Sequence, residues 1–304
     1  MVIIKYYSNY FLGDNLNFNL KEAILIFIRG VLMGSADIVP GVSGGTIALI
    51  TGIYAHLIEA ISRIKFGFVK PLLKGDINGF IEGLFEEIDF KFFIPLVLGI
   101  GIAFLTLAKV VTFCMDAYPA WTYSFFLGLI IASAVILFRK LEKIDLKNIL
   151  FAIIGLVLTY IFVSLNPIAA NHSLPILFVS GMIAICAMIL PGISGSFLLL
   201  LLGQYKYMLN ALHTLSIVEI VVFVVGALIG ILGFSKILNY LLKNYEELTM
   251  AFLIGVMLGS LKVPGVEIIN SVSLNFAGLF PCFIVAVVGF ALIIILETRF
   301  DYIE

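Results

Sequence analysis

Apolar runs recur along the chain at roughly 23–38, 42–62, 92–116, 120–138, 149–165, 174–190, 193–212, 217–242, 248–261 and 276–296, with short polar stretches between them. Their lengths and their Leu, Ile, Val, Phe and Gly content predict helices, because barrel strands would show shorter segments of alternating polarity. Two stretches, 23–62 and 174–212, are broken near the middle. The breaks read Val39-Pro40-Gly41-Val42-Ser43-Gly44-Gly45 and Leu190-Pro191-Gly192-Ile193-Ser194-Gly195-Ser196. Proline removes a backbone donor and clashes with a continuing helix. Each broken stretch therefore reads as two half-helices.

The breaks are copies of one another. At an offset of 151, residues 30–54 match 181–205 with 10 identities in 25 positions, pairing Gly30 with Gly181, Pro40 with Pro191, Ser43 with Ser194, Gly44 with Gly195 and Tyr54 with Tyr205. At an offset of 127, residues 95–133 match 222–260 with 10 identities in 39, pairing Gly99 with Gly226, Lys109 with Lys236, Tyr118 with Tyr245, Gly128 with Gly255 and Ser133 with Ser260. The change of offset leaves 24 extra residues in the first copy, in the polar stretch around 66–90, which reads as a surface amphipathic segment. The implied segments are an N-terminal cytoplasmic segment 1–20, a first repeat 21–147, a linking transmembrane helix 148–171, a second repeat 172–262 and a terminal transmembrane helix within 263–304.

If each broken stretch enters and leaves on one side, three full crossings separate the copies (92–116, 120–138 and 149–165). Three is odd, so the second copy starts from the opposite face and the repeats are inverted, as in many secondary transporters. Charge agrees. Of 18 Lys and Arg, 13 fall on the side that holds the N-terminus and two, Lys206 and Lys262, on the other. The positive-inside rule then puts both termini in the cytoplasm. The predicted fold is an all-α integral membrane protein, an inverted-repeat helical bundle with two Pro-Gly-broken re-entrant helix hairpins, multi-pass in the cytoplasmic membrane.

Composition narrows the chemistry. The chain has 304 residues, 62% hydrophobic and 12% charged, with mean hydropathy +1.19. A soluble domain carries about twice that charge, so a cytosolic enzyme or a disordered chain is excluded. A net charge of −1 offers no field for nucleic acid. Cys114, Cys186 and Cys282 lie singly in apolar runs and read as small buried hydrophobes, with no metal or redox spacing. The first 19 residues lack the apolar core and cleavage site of a signal peptide, so the first hydrophobic segments are expected to insert and stay.

A half-helix that starts just after Pro-Gly exposes free N–H groups and the positive end of its dipole, which favours an anion. Ser43, Gly44, Gly45 and Thr46 in one copy, and Ser194, Gly195 and Ser196 in the other, would line two such ends. Charges inside apolar runs are costly and few. Arg29 suits phosphate through its planar fork, and the symmetry mates Lys109 and Lys236 serve as neutralising point charges. Asp37 either holds Arg29 or carries a proton. The alternatives for these residues are an ordinary helix break with serine caps, snorkelling lysines and an Arg29–Asp37 ion pair. No metal or cofactor is implied.

Gly41-Val42-Ser43-Gly44 and Gly192-Ile193-Ser194-Gly195 also fit the G-x-S-G pattern of intramembrane serine proteases. A nucleophile needs a base within reach, and His56, His172 and His213 lie at segment ends or in loops. Asp37 is the one clear membrane-embedded carboxylate, too few for an aspartyl dyad. The residues read as a cradle for an anion such as a phosphate or carboxylate, and not as an enzyme.

The stretch from Arg29 to Thr46, RGVLMGSADIVPGVSGGT, closely resembles the family long labelled as domain of unknown function 368, now associated with polyprenyl-phosphate translocases of the PopT type. Leu190 to Phe197, Leu202-Gly203-Gln204-Tyr205, Gly233-Phe234-Ser235-Lys236 and Gly255 to Leu261 match as well. The resemblance covers roughly 21–262. It implies a flippase that returns undecaprenyl phosphate, or a related polyprenyl phosphate, from the outer to the cytoplasmic leaflet for envelope polymer synthesis. Its partners would be that lipid and the surrounding membrane lipids.

Overall fold

The computed structural model describes residues 20–38, 43–141, 144–165 and 171–301. The first repeat opens with α1 (Leu20–Asp37), α2 (Gly44–Ile50), α3 (Tyr54–Arg63), α4 (Val69–Leu73), α5 (Ile77–Glu87), α6 (Phe90–Ala117) and α7 (Pro119–Lys140), followed by α8 (Leu146–Phe162). Then come α9 (Leu174–Ile189), α10 (Gly195–Leu201), α11 (Tyr205–His213), α12 (Ile217–Asn244), α13 (Glu246–Ser260), α14 (Lys262–Ser271) and α15 (Phe276–Asp301). All described regular structure is helical. Five segments are long and apolar enough to cross a membrane: Phe90–Leu107, Pro119–Lys140, Ile217–Asn244, Glu246–Ser271 and Phe276–Thr298. Residues 1–19 of the expected N-terminal segment 1–20, on which the signal-peptide reading also falls, and the first Pro-Gly pair, Pro40-Gly41, lie outside the described residues.

Local chemistry fixes the helix ends. Asp89 caps α6 by accepting the Phe92 N–H at 3.1 Å, Asp145 caps α8 through the Asn148 N–H at 2.8 Å, and Pro119 opens α7 where its missing N–H is harmless. The His56 Nε2 also lies 3.1 Å from Asp89 and ties α3 to the start of α6. Burial pushes the Asp89 carboxyl up, but the bonds from His56 and Phe92 outweigh it and hold the group below the ordinary carboxylate value. The 66–90 insertion forms α4 and α5, with Leu73, Ile77 and Phe85 exposed.

Each broken stretch contains three helices, not two. A second bend follows the first half-helix, and α2 and α3 meet at 115°. Gly52 (φ 78°) and Gly203 (φ 67°), 151 apart, supply the left-handed turn in the two copies. The turn closes alike in both: the Ile53 N–H donates to Ala48 at 3.0 Å and the Gln204 N–H to Leu199 at 2.8 Å. Helix α14, which packs on α7, falls between the apolar runs and has no counterpart among them.

Four helix pairs form the frame, each a glycine seam. Gly30 lies against the Leu96 carbonyl and Gly99 against the Phe27 carbonyl, joining α1 to α6. In α9 and α12, Gly181 lies against the Phe223 carbonyl and Gly226 against Phe178. These are the same contacts at offsets 151 and 127. Gly128 meets the Ala286 carbonyl and Gly289 that of Phe125 between α7 and α15. Gly255 meets Ala152 and Gly155 meets Phe252 between α13 and α8. Helices α8 and α15, the linking and terminal helices, therefore fill equivalent packing positions, each on the other copy's frame. All four pairs run parallel. Gly34 lies against Ile100 as Gly30 lies against Leu96, Gly230 against Met182 as Gly226 against Phe178, and Gly259 against Leu156 as Gly255 against Ala152. In the remaining pair Lys140 reaches Glu297 at 3.4 Å, with Gly128 facing Ala286 further back on the same helices.

Small residues drive such packing where lipid removes the hydrophobic push between helices. A Cβ at Gly128 would fall onto the Ala286 backbone. Gly128→Val should therefore cost about 1–3 kcal/mol through overpacking, seen as a lower unfolding temperature in detergent, while Gly101→Ala, where a Cβ meets nothing within 4 Å, should leave it unchanged.

Candidate anion site at the paired breaks

The two breaks touch. Ser43, fully buried at the start of α2, accepts the Gly45 N–H at 3.1 Å through Oγ and donates to the Leu190 carbonyl of the other copy at 3.1 Å. The Met188 carbonyl stands near by at 3.4 Å. In return, the Gly192 N–H donates to Thr46 Oγ1 at 2.9 Å. Gly45 presses on the Ile189 carbonyl, so no side chain fits there. Gly192 has φ 86° and lies against the Met257 backbone, so glycine is required by both turn and contact. No apolar side chain separates the tips at these contacts.

The two half-helix ends differ in what covers them. At α2 the Gly44 N–H donates to Asp37 Oδ1 at 2.6 Å. A carboxylate of the chain itself thus occupies the positive end of that dipole, the arrangement expected for an anion at a helix N-terminus. At α10 the position of Asp37 is taken by its mate Met188, whose side chain lies against Gly195. Ser194 makes no capping bond and instead shares a 2.8 Å hydrogen bond with Ser196. Among the described residues no acceptor faces the Gly195 or Ser196 N–H. All of α2 is buried, whereas Leu200 of α10 is exposed.

The structure thus brings together Asp37, Ser43, Gly44, Gly45 and Thr46, and sets them against the break that opens onto Ser194, Gly195 and Ser196. Asp37, expected to hold Arg29 or carry a proton, accepts the Gly44 amide. A seven-residue spacing is no standard capping pattern, so nothing in the sequence signalled it. Arg29 lies half-buried on α1, eight residues and about 12 Å along the axis from Asp37. Lys109 and Lys236 are exposed on α6 and α12. Thr46→Val leaves the buried Gly192 N–H without an acceptor and should cost about 1–3 kcal/mol, whereas Thr46→Ser keeps the oxygen. Thermal unfolding of both variants in detergent checks this.

Of the histidines, His56 bonds Asp89, while His172 stacks on Tyr207 at 4.0 Å and bonds Gln204 at 2.9 Å. Neither is paired with Ser43 or Ser194. Cys282 is buried; Cys114 and Cys186 are half-buried, less enclosed than expected. No group of three or more His, Cys, Asp or Glu suited to a metal occurs among the described residues.

Apolar spans, glycine seams and a polar junction of broken helices define a multi-pass helical membrane protein. Residues 33–274 match the VCA0040-like family, described as undecaprenyl phosphate translocase-like, and the chain belongs to that family. A polyprenyl-phosphate transporter of Vibrio cholerae serotype O1 is 43% identical over 235 residues, 77% of this chain and 75% of that one. A polyprenyl-phosphate transporter of Staphylococcus aureus is 30% identical over 254 residues, 77% and 83% of the two chains. No solved structure matches.

Proposed function

We propose that this chain is a flippase, not an enzyme, that carries undecaprenyl phosphate or a related polyprenyl phosphate from the outer to the cytoplasmic leaflet by alternating access. The observation that carries the reading is the direct junction of the two broken segments at Ser43–Leu190 and Thr46–Gly192. The names of the relatives supply the substrate class. Helix directions support inverted repeats. Helix α13 runs parallel to α8, and α8 returns from α7 through a short loop, so α13 opposes α7, its sequence mate. Re-entrant hairpins fit the parallel course of α1 and α6, because the chain between them must come back to its starting side. With 13 of 18 basic residues on that side, both termini lie in the cytoplasm of a cell-membrane protein.

On this reading the phosphate docks at the α10 end, on the Gly195 and Ser196 amides and the Ser194 hydroxyl. The Gly44, Gly45 and Thr46 end takes it up when Asp37 gives way. Arg29 supplies the fork, and Lys109 and Lys236 lower the cost of a dianion entering hydrocarbon, while the isoprenoid tail stays in lipid. The lipid is the partner; neither cofactor nor nucleic acid takes part.

Proteoliposomes loaded with labelled undecaprenyl phosphate test this. Protein-dependent exchange between leaflets is expected, and no exchange together with saturable uptake of soluble phosphate would replace the lipid by a free anion. Arg29→Ala should weaken headgroup binding at least tenfold, about 1.4 kcal/mol, with the unfolding temperature unchanged. Unaltered affinity removes Arg29 from the site.

A further inference from the structure

The two ends of the bundle are packed differently. Helix α3 lies across the end that carries the starts of α1 and α6. One flank is held by His56 on Asp89. The other reaches the last two turns of α12, where the Lys243 Nζ lies 2.9 Å from Glu59 and the Asn239 amide donates to Ser62 Oγ at 2.9 Å. Arg63 joins the same carboxylate at 3.0 Å. Leu238 and Leu242 of α12 are buried beneath this contact.

Among the described residues the equivalent helix, α11, makes no comparable contact with α6. The residue pairs make the difference concrete. Tyr54 is 2% exposed and its mate Tyr205 37% exposed. Leu238 and Leu242 are buried, but their mates Val111 and Met115 on α6 are only half-buried. The outer half of α6 shows Leu105, Val110 and Phe113 exposed. Among the described residues α3 is packed on α12, and α11 is not packed on α6 in the same way.

We infer that α3 on α12 is one of two exchangeable gates, and that α11 on the last turns of α6 is the other, formed when the first opens. This deepens the flippase reading and rests on its inverted repeats. The sequence mates of the closed gate are complementary in their own right. Lys243 and Glu59 map to Asp116 and Asn210, and Asn239 and Ser62 map to Thr112 and His213. An amide can donate to the Asp116 carboxylate. The second gate thus holds by a singly charged hydrogen bond where the first uses a three-membered ion cluster. The buried Tyr54 hydroxyl, which has no hydrogen-bond partner among the described residues, carries a desolvation cost in the closed arrangement. Opening relieves it, which keeps the two arrangements close in free energy. The end closed by α3 is the one at which α1 starts and α15 finishes, so the conformation opens to the opposite side, where a lipid phosphate would enter.

Double-cysteine variants made without Cys114, Cys186 and Cys282 test the gates. Ser62→Cys with Asn239→Cys reports the closed gate, and Asp116→Cys with Asn210→Cys reports its counterpart. Both pairs should be joined by a short thiol crosslinker in membrane vesicles. Each crosslink should stop undecaprenyl phosphate exchange, and a cleavable linker should restore it. Glu59→Gln, which weakens the ion cluster, should raise crosslinking at 116/210 about two- to fivefold. The inference is overturned if 116/210 never crosslinks in vesicles where 62/239 does, or if 62/239-crosslinked protein still exchanges lipid at the uncrosslinked rate. Should unmodified protein move no lipid, the substrate reading fails. The response of 116/210 to Glu59→Gln then decides the gates without it.

Discussion

A helix broken inside a membrane leaves amides and carbonyls that hydrocarbon cannot satisfy, each costing several kcal/mol if left alone. This chain meets that constraint by setting one break against the other. The Gly192 amide finds the Thr46 hydroxyl, the Leu190 carbonyl accepts from Ser43, and the Gly44 amide finds Asp37. Duplication thus supplies the difficulty and its partner together. The junction uses Ser43, Thr46 and Gly192, while the Gly195 and Ser196 amides beside it make no hydrogen bond among the described residues.

Around this junction the bundle divides into stiff and exchangeable parts. Glycine seams bring helix backbones into direct contact in four parallel pairs, and a seam that tolerates no added carbon has little room to slide. Two of those pairs, α7 with α15 and α8 with α13, cross from one copy to the other and bind the copies into a frame. Contacts made by long polar side chains, such as Glu59 with Lys243 or Ser62 with Asn239, are part-exposed and individually weak. Movement is cheapest where the packing is polar and shallow, which is where the two ends of the molecule differ.

The difference between Asp37 and Met188 bears on the proposed transport. One copy covers its half-helix end with a carboxylate and the other with a thioether. A phosphate arriving at the thioether end meets open amides. At the carboxylate end it would have to displace a like charge. Identical ends would hold a dianion equally well at both stations; unequal ends would hold it with unequal strength.

The sequence by itself determined the broken segments, the repeated motifs and the five long apolar spans, because proline, glycine and apolar run length act through local backbone geometry and through the width of a bilayer. The linking helix Leu146–Phe162 is apolar but shorter than those spans. The sequence also placed Ser43, Gly44, Ser194 and Gly195 at half-helix starts, since those positions follow from the break alone. It missed the second bend at Gly52 and Gly203, although that identity lay in the alignment, because a single glycine among apolar residues is not distinctive. Only the tertiary structure decided that α8 and α15 change places between the copies, that Asp37 turns to Gly44, and that α3 is packed while α11 is not. Those outcomes depend on which surfaces fit at close range between residues a hundred or more positions apart. Two halves of nearly the same pattern can pack in more than one way, and side-chain contact, not periodicity, selects among them.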